Sequence, residues 1–134
     1  MDDGSAPDGM HIGPVGLSLP PDPALSRMAR LAVSGMASMA RFTVDEVEDI
    51  KLVVSEIIIA LIEHGAGERI DLELSVTDDG FVVRGRTSAM FFDPEHPDLV
   101  LSRMVLDSAS AEHGIEAVEG GALMWARVAR AAGA

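Results

Sequence analysis

Glu56 is the one charged side chain inside a long apolar segment of the chain, Leu52 to Ile62. The residues from Thr43 to Gly65 have the pattern of one helix, so position 60 lies one turn beyond Glu56 on the same face. A carboxylate and a polar side chain placed in this way could contact a charged ligand and help to hold a metal ion. Position 60 is alanine, however, and Ala60 has no oxygen with which to ligate a hard cation.

Other arrangements of reactive residues give weaker signals. Ser55 adjoins Glu56, but consecutive helical residues point in different directions, so they do not form a nucleophile–base pair. The stretch from Asp93 to Asp98 is dense in acidic residues and histidine, yet a solvated loop is the expected interpretation rather than a metal site. The histidines lack metal-ligand spacing: His11, His64, His96 and His113. The sequence contains no Ser-His-Asp arrangement and no Walker-type loop.

The composition favours one acidic globular domain. The chain has 134 residues and a formal net charge of −12, which opposes nucleic-acid binding and favours basic partners. An acidic surface that serves only solubility is the alternative interpretation. The absence of cysteine excludes disulfides and thiolate metal sites. We expect a cytoplasmic protein with no contact to a membrane, because the N-terminus is acidic and no apolar run approaches the roughly 20 residues that a span needs.

Three helices are predicted from hydrophobic periodicity. They span residues 23 to about 39, 43–65 and 98–108. Thr43 and Glu46 form a capping box at the start of the second helix, and Gly65 suits its end. The residues expected to be buried in the third helix are Leu99, Val100, Met104 and Leu106.

Five strands are predicted from alternating patterns and turn residues. They span residues 15–19, 70–77, 81–86, 112–118 and 122–128. The order β-α-α-β-β-loop-α-β-β predicts a single two-layer α+β sandwich, with three helices on a mixed, mostly antiparallel sheet of about five strands. Residues 1–14 are predicted to be a disordered arm, residues 15–130 the domain, and residues 131–134 a short tail.

The element order and a few short strings resemble a known family. The strings are Leu19-Pro20, Val53-Val54-Ser55-Glu56, Glu63-His64-Gly65, Phe92-Asp93-Pro94 and Gly120-Gly121. Together they resemble the ATPase domain shared by gyrase, the Hsp90 chaperones and histidine kinases, called the GHKL or Bergerat fold, and most of all the small anti-sigma-factor serine kinases. This resemblance implies that Glu56 holds the position of the general base near the γ-phosphate. It also implies that Ala60 replaces an asparagine that helps to hold Mg²⁺.

The resemblance places three further ATP-handling elements on altered residues. Thr87 stands for the aspartate that contacts adenine, while Ala89 and Phe91 stand for glycines of the same motif. The glycine-rich lid corresponds to residues 96–99, where Pro97 lacks an amide donor. The closing Gly-Thr motif survives as Gly121 followed by alanine. Because four elements are altered together, we expect the chain to have lost ATP binding, with no cofactor and no metal.

Three functions follow from this pattern as alternatives. The first is a regulatory pseudokinase that binds a sigma factor or an anti-anti-sigma-like protein, with a homodimer as a family precedent. The second is a divergent ATP- and Mg²⁺-dependent serine kinase that acts on an anti-anti-sigma partner, with Glu56 as base and Thr87 contacting adenine. A third alternative is a sensor domain with an apolar ligand beside Ile59.

Two local hypotheses bear on these functions. The apolar loop Met90-Phe91-Phe92 is expected either to fold down as core or, more specifically, to fill the former nucleotide cavity. Glu56 lies seven residues from both Asp49 and Glu63, so a solvated acidic helix edge is the alternative to a functional role.

Overall fold

Three α-helices and five strands, all within residues 11–131 that the computed structural model describes, build the fold. In chain order they are β1 (Ile12–Leu19), α1 (Ser26–Met39), α2 (Val44–His64), β2 (Ile70–Thr77), β3 (Gly80–Ser88), α3 (Val100–Ala109), β4 (Glu112–Val118) and β5 (Gly121–Ala129). The strands form one sheet in the order β1-β2-β3-β5-β4, and each neighbouring pair is antiparallel. The predicted α+β sandwich of three helices on about five strands is confirmed, but the sheet is antiparallel throughout and not mixed.

The central helix, α2, is fixed at both ends by its own sequence. The Glu46 amide donates to Thr43 Oγ1 at 3.2 Å and the Thr43 amide donates to Glu46 Oε1 at 2.8 Å, which completes the predicted capping box. The Gly65 amide donates to the Leu61 carbonyl at 2.9 Å at the other end. Helix α2 packs between α1 and α3 and covers β3 and β5. Its buried side chains are Ile50, Val53, Val54, Ile57, Ile58, Ala60 and Leu61.

Helix α3 differs from its prediction in the residues that face the core. Leu99, just before the helix, and Leu106 are fully buried as expected, but Val100 and Met104 are 56% and 61% exposed, so their predicted burial is wrong. The buried row consists of Leu99, Ser102, Leu106 and Ala109. These positions are spaced by three or four residues, so they form one helical face. A polar residue, Ser102, therefore occupies a core-facing position.

The two ends of the chain also differ from their predicted limits. Strand β1 begins at Ile12, three residues earlier than predicted and within the segment predicted to be an arm. The rest of that predicted arm, residues 1–10, and residues 132–134 of the predicted tail lie outside the described residues. None of the described helices has the length and hydropathy that a membrane span requires.

Candidate functional site

Glu56 lies on the side of α2 that faces α3, and its carboxylate is engaged there. The Ser102 hydroxyl donates a hydrogen bond of 2.6 Å to Glu56 Oε2. Ser102 is only 6% exposed, and Glu56 itself is half-buried. The alternative of a solvated acidic edge is therefore wrong for Glu56, although it fits Glu63, which is exposed. The side chain is held between two helices.

Ala60, one turn beyond Glu56, is 2% exposed and belongs to the core. Its methyl group offers no ligand to a cation, and close packing leaves little room for water at this position. Among residues 11–131, no three His, Asp or Glu side chains cluster closely enough to hold a metal ion.

The structure brings together three residues that the resemblance places in the nucleotide site. Thr87, Ala89 and Gly121 lie where β3 ends and β5 begins, beside the end of α2. The buried Thr87 hydroxyl donates to the Arg69 carbonyl at 2.8 Å, which uses its only proton. A Cβ at Gly121 would lie 2.3 Å from the Thr87 carbonyl oxygen, so glycine is required here for close strand packing rather than for access by a ligand.

The Met90-Phe91-Phe92 loop does not fill a cavity in the way the sequence suggested. Met90 and Phe91 are 102% and 84% exposed, so both hypotheses, that they join the core or that they fill the former nucleotide site, are wrong for these two residues. Only Phe92 turns inward, where its ring lies edge-on to His64 with centroids 6.4 Å apart. His64 also lies 5.3 Å from the His96 ring.

The segment that corresponds to the glycine-rich lid is held by its own side chains. The Asp98 amide, two residues before α3, donates to His96 Nδ1 at 3.1 Å, so this amide is already satisfied. Arg103 donates to the Pro94 carbonyl and its guanidinium lies 3.8 Å from the Glu95 carboxylate. These contacts fasten the loop to the first turns of α3.

Sequence reasoning missed the contacts that Ser102, His64 and Arg103 make in this region. The spacing of positions 99, 102, 106 and 109 indicates one helical face. It would have identified Ser102 if a polar residue had been accepted on the face that packs against the core. His64 and Arg103 gave no such signal, because their partners, Phe92 and Pro94, lie in an irregular loop.

Replacing Ser102 with alanine tests how far this contact stabilises the domain. We expect Ser102→Ala to lower the free energy of unfolding by about 1–2 kcal/mol, because a half-buried carboxylate loses its donor. Urea denaturation measures the change. Ser108→Ala is the control, since that exposed hydroxyl only bonds the Val105 carbonyl within its own helix. Equal losses in both variants would show that the Glu56 contact contributes little.

The order of the helices and the antiparallel sheet form a GHKL-like fold. Within that class, the chain is similar to the serine-protein kinase RsbW of Listeria innocua, with 36% identity over 83 residues, or 59% of this chain and 53% of that protein. It is also similar to the serine-protein kinase RsbW of Bacillus subtilis, with 30% identity over 89 residues, or 62% of this chain and 56% of that protein. The resemblance to anti-sigma-factor kinases is confirmed.

A solved structure supports the same fold. The RsbU and RsbW domains of a Mycobacterium tuberculosis protein match with a TM-score of 0.68 and 16% identity, covering 89% of this chain and 33% of that one. The chain matches no family model. Its similar segment spans only about half the length of the RsbW relatives, 53% and 56% in the two cases.

Proposed function

We propose that this domain is a regulatory protein-binding domain of the anti-sigma-factor type, a pseudokinase that recognises a sigma factor or an anti-anti-sigma protein without using ATP. Its similarity to RsbW kinases supports the class of partner. A binding surface can persist after catalytic residues are lost, because recognition and phosphoryl transfer depend on different side chains.

The observation that carries this proposal is that the polar groups in the former nucleotide region are already engaged within the fold. Glu56 accepts from Ser102, and Thr87 donates to the Arg69 carbonyl. A bound nucleotide would have to break these bonds and would gain no ligand from Ala60. Electrostatics oppose it further, because the exposed side chains of Glu63 and Asp98 line the depression between α2 and α3, where phosphates would need positive charge.

Calorimetric titration with ATP and Mg²⁺ tests the loss of nucleotide binding. We expect no saturable heat, which corresponds to a Kd weaker than about 1 mM. The Bacillus subtilis RsbW relative serves as positive control, and Glu56→Ala serves as matched variant. Micromolar binding that Glu56→Ala weakens would overturn the proposal. Sigma factors and anti-anti-sigma proteins from the same genome, titrated without ATP, should instead give saturable binding that falls as salt is raised.

The kinase alternative has one observation in its favour. The Glu56 carboxylate already accepts a hydrogen bond of 2.6 Å from the Ser102 hydroxyl. A general base needs the same geometry toward the serine hydroxyl that it deprotonates. Transfer of labelled phosphate from ATP to an anti-anti-sigma protein would establish this second function.

A homodimer remains a prediction.

A further inference from the structure

A group of exposed apolar side chains lies on the outer side of α3 and the loop before it. These residues, here called the α3 patch, are Met90, Phe91, Val100, Leu101 and Met104. Leu101 is 71% exposed, and each of the others is more than half exposed. Single exposed apolar residues are common, but a contiguous group of large ones marks an interaction surface.

The part of the patch on α3 adjoins a depression that the loop also approaches. Val100 and Leu101 border a shallow depression of about 540 Å³, whose other lining residues are Glu63, His64, Pro97 and Asp98. His64, which lines this depression, packs against Phe92, so the loop that carries Met90 and Phe91 reaches its edge. Met104 lies one turn beyond Val100 on the same helical face.

The rim of the patch is acidic. Arg103 is the only Lys or Arg between residues 87 and 126, and it is engaged by the Pro94 carbonyl and the Glu95 carboxylate. Glu63, Asp93 and Asp98 are exposed around the patch. A partner that covers these side chains must bring positive charge to the rim and apolar side chains to the centre.

The geometry points to a basic amphipathic helix of a partner protein as the occupant of the α3 patch. This inference rests on the proposed function and specifies the chemistry of the partner. Two apolar positions one turn apart on α3 match the spacing of anchors on a partner helix, which then packs by ridges into grooves. Lys and Arg on the flanks of that helix meet Glu63, Asp93 and Asp98.

A labelled peptide tests this inference on the full chain. The probe is a helix-forming peptide of about 16 residues, roughly four turns, with leucines on one face and lysines on the other. We expect saturable binding by fluorescence anisotropy, with Leu101→Glu weakening it at least about tenfold. Raising the salt from about 50 to about 500 mM should also weaken it, because screening removes the attraction of the rim.

Leu31→Glu on α1 is the matched control, because Leu31 is 68% exposed against 71% for Leu101. It should change the Kd less than about twofold, a difference small against a tenfold loss. A scrambled peptide of equal charge, with its leucines spread around the helix, controls for attraction by net charge alone. Thermal melting verifies that both variants are folded, and Leu101→Ala provides a milder second variant.

Three results of the experiments with the peptide and its controls would overturn the inference. They are equal losses in the Leu101 and Leu31 variants, equal binding of the scrambled peptide, and a dimer that Leu101→Glu converts to monomer in sedimentation velocity while peptide binding is unchanged. The last result would make the patch an interface between two copies. If a sigma factor or anti-anti-sigma protein binds Leu101→Glu as tightly as the unmodified chain, this inference fails while the proposed function stands. If none binds the unmodified chain, the proposed function itself fails.

Discussion

Ile57→Ala is expected to lower the free energy of unfolding by about 2–5 kcal/mol, the range for deleting a fully buried large aliphatic side chain. Ile57 is fully buried on α2, one residue after Glu56, and its Cγ2 points at β3. The loss combines the transfer free energy of the deleted atoms with the cost of the cavity that they leave. Urea denaturation at constant m-value measures it.

Gly85 on β3 offers a direct test of whether the loss comes from the cavity that Ile57→Ala leaves. A Cβ at Gly85 would lie 2.6 Å from Ile57 Cγ2 and 2.9 Å from Leu61 Cδ1, so Gly85→Ala alone should destabilise by about 1–3 kcal/mol through overpacking. In the double variant the new methyl group enters the space that Ile57→Ala vacates, so the combined loss should be smaller than the sum. Ile50→Ala with Gly85→Ala is the control pair, because Ile50 is buried but is not among the closest neighbours of that Cβ. An additive result for the Ile57 pair would contradict the packing seen here.

Ala60→Asn is expected to destabilise the domain without restoring magnesium or nucleotide binding. The side chain is 2% exposed, so an unpaired amide there costs about 1–3 kcal/mol and its added volume about 1–3 kcal/mol more. Thermal unfolding with and without ATP and Mg²⁺ measures both effects, since a ligand that binds the native state raises the melting temperature.

Ala60→Val separates the two causes, because it adds volume without a polar group. Equal losses for valine and asparagine would show that overpacking alone accounts for the change. A magnesium-dependent rise in melting temperature for Ala60→Asn would have a different meaning. It would show that the region around position 60 can rearrange to bind the nucleotide, and would favour the kinase alternative.

The helices and hairpins with strong local signals could be predicted from the sequence. The capping box of Thr43 and Glu46 sets the start of α2, and Asp79-Gly80 sets the turn between β2 and β3. The period-two pattern of β2 also matches its alternating burial. These signals lie within a few neighbouring residues, so they do not depend on tertiary contacts.

Helix α3 shows where such reasoning stops. The prediction assigned the apolar residues Val100 and Met104 to the core and left Ser102 out, because hydrophobicity was the only criterion for the inward face. The structure reverses this assignment, since Glu56 on α2 supplies a hydrogen-bond partner for a buried hydroxyl. That partner lies 46 residues away in sequence, and no local sequence pattern predicts it.

The resemblance located the candidate site but did not predict the contacts that its residues make. The resemblance placed Glu56, Thr87, Ala89 and Gly121, and the last three do lie together in the structure. The Thr87 hydroxyl bonds the Arg69 carbonyl, and the Phe91 side chain points outward. Both features depend on how the loops pack against the sheet. Whether these positions bind a nucleotide stays a prediction.

The sheet order has a consequence for how the protein is made. Strand β5 is the last in chain order among the described residues, yet it lies between β3 and β4. While the ribosome has released only the chain up to β4, one edge of β3 has no partner and can pair with another nascent chain. Translation that stops before residue 121 would therefore yield an aggregation-prone fragment and not a smaller folded domain.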